Sequence, residues 1–266
     1  RWHDRLKNPL TLLRSSATDE HPRVRLEAIV AASDVRGAES IAIAALAADG
    51  SADRFITFAF KNTVHALAAE WKPALLAGNL KFAKPAHLLS VVREGGGNEV
   101  AGVVRQQLAD PALSASRKLV LAELLAHIGN SADAAQALKL AATHPPVLRA
   151  LVNAATERNL QAPANAAELL NMPLKKTETR AETVRLIGAW KLNVRAETIR
   201  AFASGQTQPH TVRVAAAEAL GQLSSPQVVE TLAALMTLNT AADLRAAALG
   251  SLATHDAPRA AQLVAG

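Results

Sequence analysis

Cysteine and tyrosine are both absent from this 266-residue chain, and aromatic side chains are scarce, three tryptophans and five phenylalanines in all. Without cysteine there is no disulfide, no thiolate metal ligand, no cysteine nucleophile and no covalent haem attachment through a Cys-x-x-Cys-His segment. The shortage of aromatics argues against strands, which favour β-branched and aromatic residues. No apolar run approaches the roughly 20 residues that a membrane span requires, and the opening Arg1-Trp2-His3-Asp4 lacks the pattern of a signal peptide. Alanine is what abounds, with 59 residues, and it is the strongest helix former. With 50% hydrophobic and 20% charged residues, the composition is that of a folded all-α chain, which excludes a sandwich, a barrel, a doubly wound sheet or a disordered tail.

The formal net charge is +6, and a basic balance is the electrostatic prerequisite for phosphate binding. Acidic residues are interleaved almost everywhere, however. The one dense basic stretch is Lys175, Lys176, Arg180, Arg185, Lys191, Arg195 and Arg200, opposed by Glu178, Glu182 and Glu197. A solvated helix face is the simpler expectation for it.

Internal repetition decides the organisation. One phrase recurs: an aliphatic residue, a basic residue, then small or aliphatic residues three and seven positions later. It is clearest at Val212-Arg213 with Ala216 and Leu220, and it returns at Val24-Arg25 with Ala28 and Ala32, at Val184-Arg185 with Gly188 and Leu192, and at Leu244-Arg245 with Ala248 and Leu252. Weaker copies start at Lys61, His87, Lys118 and Arg149. The marks fall at 25, 61, 87, 118, 149, 185, 213 and 245, a period near 30 that predicts about eight helix pairs joined by loops of variable length. Second helices are expected over 39–48, 98–109, 131–142, 195–203, 226–238 and 258–264. Asp110-Pro111 and Ser225-Pro226 read as helix starts with a capping side chain ahead of proline. Thr179 with Glu182 reads as a capping box, and Gly37, Gly129 and Gly221 as left-handed helix ends. Small residues after each mark let helix axes approach to about 8 to 10 Å.

This phrase resembles the HEAT-repeat family, an armadillo-type α-solenoid whose inner helix carries Val-Arg followed by spaced Ala and Leu-Gly; Thr211 to Leu223 is the most specific copy. The resemblance implies one HEAT array over residues 1–266, each repeat packing only on its neighbours. It also implies that Arg25, Arg149, Arg185, Arg213 and Arg245 form a structural ladder, bridging to carboxylates or carbonyls of adjacent repeats. A narrower resemblance covers residues 2–82. Trp2-His3-Asp4-Arg5-Leu6, Asp19-Glu20-His21-Pro22-Arg23-Val24-Arg25, Asp53-Arg54-Phe55, Trp71-Lys72-Pro73 and Gly78-Asn79-Leu80-Lys81-Phe82 are similar to the HEAT region of planctomycete and verrucomicrobial haem-binding, membrane-bound dehydrogenase-like proteins. There a propeller precedes the array and a c-type cytochrome domain follows it. This chain contains neither module, so the resemblance implies a linking role and a periplasmic or extracytoplasmic location, with no dehydrogenase activity in these residues. The N-terminal segment starts within an expected helix and the C-terminal Ala-Gln-Leu-Val-Ala-Gly is apolar, ends that suggest a fragment of a larger multidomain chain.

Reactive signatures do not emerge. There is no Gly-x-Ser-x-Gly, His-Glu-x-x-His, phosphate loop or dinucleotide fingerprint. Gly95-Gly96-Gly97 reads as an ordinary connector. His21, His144 and His210 precede inner helices of separate repeats, too far apart to share one ion, while His65, His87 and His127 fall within helices as partly buried histidines. Trp2, Trp71 and Trp190 read as fillers of gaps too large for alanine. Phe55, Phe58 and Phe60 do not keep one helical face, so Phe55 and Phe58, together with Trp71, are candidate interdomain contacts; Lys175, Lys176 and Arg180 are candidate anion contacts. The expectation is thus a non-catalytic scaffold without cofactor, metal or small-molecule substrate, whose partners are flanking domains or other proteins. The alternative is a nucleic-acid-binding solenoid, like the HEAT-like DNA glycosylases, using the basic stretch 175–200. An enzyme with a pocket assembled from distant repeats is the third reading.

Overall fold

The computed structural model describes residues 6–51, 53–236 and 240–265, so Trp2 lies outside the described residues. Among these there is no strand, and the chain divides into two compact units, 1–113 and 114–266. The first holds α1 (Pro9–Ser16), α2 (Pro22–Asp34), α3 (Ala38–Ala47), α4 (Arg54–Ala66), α5 (Ala68–Leu76), α6 (Pro85–Gly95) and α7 (Asn98–Leu108). The second holds α8 (Ala115–Ile128), α9 (Ser131–Ala141), α10 (Pro145–Glu157), α11 (Ala166–Leu169), α12 (Asn171–Lys175), α13 (Thr177–Ala189), α14 (Ala196–Ser204), α15 (His210–Leu220), α16 (Val228–Ala234), α17 (Ala242–His255) and α18 (Ala257–Ala265).

Each mark sits inside a helix: Arg25 in α2, Lys61 in α4, His87 in α6, Lys118 in α8, Arg149 in α10, Arg185 in α13, Arg213 in α15 and Arg245 in α17. Marked helices stack on one another in order, α2 on α4 on α6 in the first unit and α8 on α10 on α13 on α15 on α17 in the second. The remaining helices form a second layer, with α3 against α2, α9 against α8, α14 against α15 and α18 against α17. The apolar spacing explains the stack. In α15 Val212, Ala215, Ala216 and Ala219 are buried at helical intervals, as are Val147, Ala150, Leu151 and Ala154 in α10. The positions three and seven beyond the mark are buried in α2 (Ala28, Ala32), α15 (Ala216, Leu220) and α17 (Ala248, Leu252).

Glycine sets the closest approach. A Cβ on Gly188 of α13 would stand 2.7 Å from the Ala219 Cα of α15, and one on Gly221 would stand 2.7 Å from Ser251 Oγ of α17. At Gly188 the obstacle is the backbone of α15, so an added methyl group would have to move a helix, whereas at Gly221 the nearest atom is a hydroxyl that can rotate away.

Helix starts depart from expectation at three places. After Asp110-Pro111 the chain makes a turn, in which the Asp110 carboxylate accepts the Ala112 N–H, and α8 begins only after Ser114, whose hydroxyl oxygen accepts from Arg117 N–H. Ser225-Pro226 likewise opens a turn before α16, which is shorter than the expected 226–238. Aspartate and serine before proline suit turns as well as caps, and length alone decides between them. Thr179 is buried within α13 and donates to Pro173 O at 2.7 Å, so it caps nothing. The capping box is formed instead by Asn130 and Asp133 on α9. Gly129 and Gly221 have ordinary negative φ, whereas Gly37 has φ +142° at the start of α3.

Gly188→Ala is expected to destabilise the chain by about 1–3 kcal/mol through overpacking. Gly250→Ala, in the interior of α17 with open space around it, should stabilise by about 0.4–1 kcal/mol. Urea unfolding of the two variants measures both; equal effects would remove the close-approach explanation.

Candidate functional site

Among the described residues, the most exposed aromatic surface lies on α4. Asp53 starts this helix by accepting Phe55 N–H at 2.7 Å and Ile56 N–H at 3.2 Å. From there the 3.6-residue period turns Ile56, Ala59, Phe60, Thr63 and Val64 inward, leaving Phe55 and Phe58 56% and 66% exposed. With Leu26 and Val30 of α2 they border a groove of about 360 Å³ between the two marked helices. The Arg54 guanidinium lies over the Phe55 ring, 4.7 Å from its centroid.

Trp71, a candidate contact from sequence, does not share this surface. It is 0% exposed, its indole N–H donates to Val64 O at 2.8 Å, and a Cβ on Gly95 would stand 3.1 Å from its ring. Trp71 therefore fills the core of the first unit and has no face to offer a partner. Trp190 does the same in the second, donating to Leu160 O at 3.0 Å. Gly95, Gly96 and Gly97 connect α6 to α7.

The basic stretch is largely committed to the chain itself. Arg180 donates to Leu174 O, Lys175 O and Gln208 Oε1 and lies 5.7 Å from the Phe202 ring centroid. Each nitrogen of its guanidinium thus has a partner within the chain. Arg195 donates to Ala167 O and Asn171 Oδ1, and Arg200 to Glu197, Gln227 and Thr231. Lys175 and Lys176 are exposed at the α12–α13 junction.

The five marked arginines behave in three ways. Arg149 Nε pairs with Glu182 at 3.4 Å, and Arg185 Nε pairs with Glu218 at 3.0 Å, each reaching the next marked helix. Arg185 also lies 3.6 Å from Glu182, so charges alternate from α10 to α15. Glu123 on α8 extends the row: burial raises its carboxyl above the usual range, opposed by His144 and Arg149. Arg25 instead donates to Asp19 O and Glu20 O in its own preceding loop, and Arg213 to Ala203 O and Gln206. Arg245 is half-buried with no side-chain bond to a described residue.

A cluster that sequence reasoning missed joins α3 to α6. Lys84 Nζ contacts Asp49 Oδ2 at 2.6 Å, while His87, 2% exposed, holds Nε2 3.3 Å from the same oxygen and out of line for a hydrogen bond. The Lys84 hydrogen bond, then His87, holds the Asp49 carboxyl below its usual value despite some desolvation. The spacing Lys84-x-x-His87 hinted at one helical turn, but nothing marked Asp49 as its partner. The histidines ahead of inner helices act one by one. His21 Nδ1 accepts Arg23 N–H, and His210 Nε2 meets Asp243 Oδ2 at 2.6 Å, depressing that exposed carboxyl. No group of three or more His, Asp or Glu able to hold a metal ion occurs among the described residues.

Because Asp49 is depressed in the folded chain, its contribution is present above the ordinary carboxylate range and is lost as pH falls through the folded value. Asp49→Asn is therefore expected to lower the melting temperature at pH 7 by about 1–4 °C, as for a partly exposed ion pair. The difference from the unmutated chain should shrink as the pH is taken down through the carboxylate range. A difference independent of pH, followed by circular dichroism melts, would show that charge plays no part.

A family model described as HEAT repeats matches residues 167–253, the stretch running from α11 to α17. None of the curated proteins matches. Among solved structures, human deoxyhypusine hydroxylase in complex with glycerol is similar at 18% identity, covering 93% of this chain and 96% of that one, with a TM-score of 0.37. No described helix is long and apolar enough to cross a membrane. Residues 167–253 are a HEAT-repeat region, and the described residues as a whole are all-α, of the α-solenoid fold class.

Proposed function

We propose that this chain is a non-catalytic HEAT-repeat scaffold that links and positions other domains of a larger, extracytoplasmic redox protein. HEAT-repeat domains are commonly protein-interaction scaffolds, and that coarse role supports the reading. The single observation that carries it is the aromatic edge of α4. Phe55 and Phe58 expose more than half of their surface beside an apolar groove, and contiguous apolar surface of this kind marks contact sites. Both residues fall in the segment 2–82 that is similar to the HEAT region of haem-binding dehydrogenase-like proteins. The occupant in this reading is a flanking domain of the same polypeptide, and the haem would belong to that domain.

The nucleic-acid alternative draws no support from the geometry. Arg180, Arg185, Arg195 and Arg200 all bond groups of their own chain, whereas a phosphate track needs several cations free to displace counterions together.

Intact mass and visible absorbance of the native gene product test the proposal. A chain much larger than 27.9 kDa with a c-type haem Soret band is expected, and Phe55→Ala with Phe58→Ala in that chain should raise hydrogen exchange at the domain junction while leaving its melting temperature within about 1–2 °C, as for surface changes. A colourless product near 27.9 kDa would overturn it.

A further inference from the structure

The second unit carries a different surface, independent of the aromatic edge. A groove of about 400 Å³ runs across the C-terminal parts of α10, α13 and α15. Its floor is made of small residues, Ala155, Gly188, Ala189 and Ala219, and its rim of Asn159, Lys191 and Gln222. The Arg185–Glu218 pair, 3.0 Å apart, forms one wall and is internally neutral. Lys191 is left as the uncompensated charge of the lining.

The backbone singles out the same place. Among the described residues, positive φ occurs at two positions other than glycine, Asn159 at 55° and Lys191 at 51°, and both line this groove. Lys191 ends α13 as the left-handed residue of a Schellman motif, with Leu192 N–H donating to Ile187 O and Lys191 N–H to Gly188 O. In the first unit α5 ends by the same two bonds, Asn79 N–H to Ala74 O and Gly78 N–H to Leu75 O, and there the left-handed residue is glycine, φ 73°. Glycine takes that conformation without steric cost, and a lysine does not. The fold would be served better by glycine at 191, and strain kept at a groove points to use of the side chain.

We propose that this groove binds an extended, acidic peptide segment of a partner protein, with Lys191 receiving a carboxylate. The small floor admits a peptide backbone close to α13. The rim supplies amides to pair with it: the Asn159 Oδ1 already accepts from Gln161 Nε2 at 3.2 Å, which leaves its NH2 as a donor, and the Gln222 side chain bonds no described residue. One free cation suits a carboxylate, while a nucleic-acid backbone would need several.

The test selects a displayed library of random 12-residue peptides on the 266-residue chain, with the Lys191→Gly chain as counter-target. Enriched peptides are expected to share an Asp or Glu and to bind the unmutated chain at least about tenfold more tightly than Lys191→Gly, with Lys191→Arg restoring most of the affinity. In the same preparations Lys191→Gly should melt about 1–3 °C higher, since relief of left-handed strain stabilises the fold. Stability rising while binding falls is an outcome that a merely structural lysine cannot give. No enrichment, enrichment without acidic residues, equal binding to both chains, or an unchanged or lower melting temperature would overturn the inference. Displacement of the peptides by a single-stranded 20-nucleotide DNA, with a steep loss at higher salt, would assign the groove to nucleic acid instead.

Discussion

The packing of each unit depends on how closely one marked helix can approach the next. Where Gly188 meets Ala219, a single methyl group would force α13 and α15 apart, and every contact laid over that seam would shift with it. Polar bonds across the second unit show the consequence. Arg149 to Glu182, Arg185 to Glu218, His210 to Asp243 and Thr254 to Gly221 each span 33 residues. Their shared separation follows from the core, because exposed ion pairs are worth too little to set a register by themselves. Small residues fix the interval first, and the charged side chains then find partners at a distance already determined.

That order explains which features were legible in the sequence. The phrase built on Val212-Arg213 was readable because burial demands small or aliphatic residues at fixed helical positions, and each of the eight marks lies in a stacked helix. Helix starts were less legible. Asp110-Pro111 and Ser225-Pro226 carry residues that serve a turn as well as a cap, and the choice rests on where the following apolar face can dock. Side-chain roles were least legible of all. Arg180 and Lys175 look alike in a basic stretch, yet Arg180 closes on carbonyls of the α12–α13 junction while Lys175 stays in solvent. Exposure separates Phe55 from Trp71, and exposure is set by neighbours distant in sequence.

Net charge gives a related lesson. A balance of +6 suggests a surface that attracts anions, but the guanidinium groups of 175–200 are turned to backbone carbonyls and glutamates. Arginine suits that use, since its planar fork satisfies several acceptors at once without losing its charge. The basic composition of this stretch is therefore largely a means of closing loops between helices, and lysines contribute what outward field remains.

Stacking constrains the buried positions of a marked helix and leaves its outward positions free. On α4 the outward positions are Phe55 and Phe58, an apolar edge; on α13 and α15 they include Arg185 and Glu218, a paired polar wall. The same inward pattern thus supports two unrelated outward chemistries. In a repeat fold the inward pattern recurs because every seam obeys one distance, so it reports architecture and nothing else. The residues that break the repetition, a phenylalanine where no other copy has one or a lysine where glycine would be easier, are the ones that no seam requires. They are the places where function can be sought without confusing it with packing.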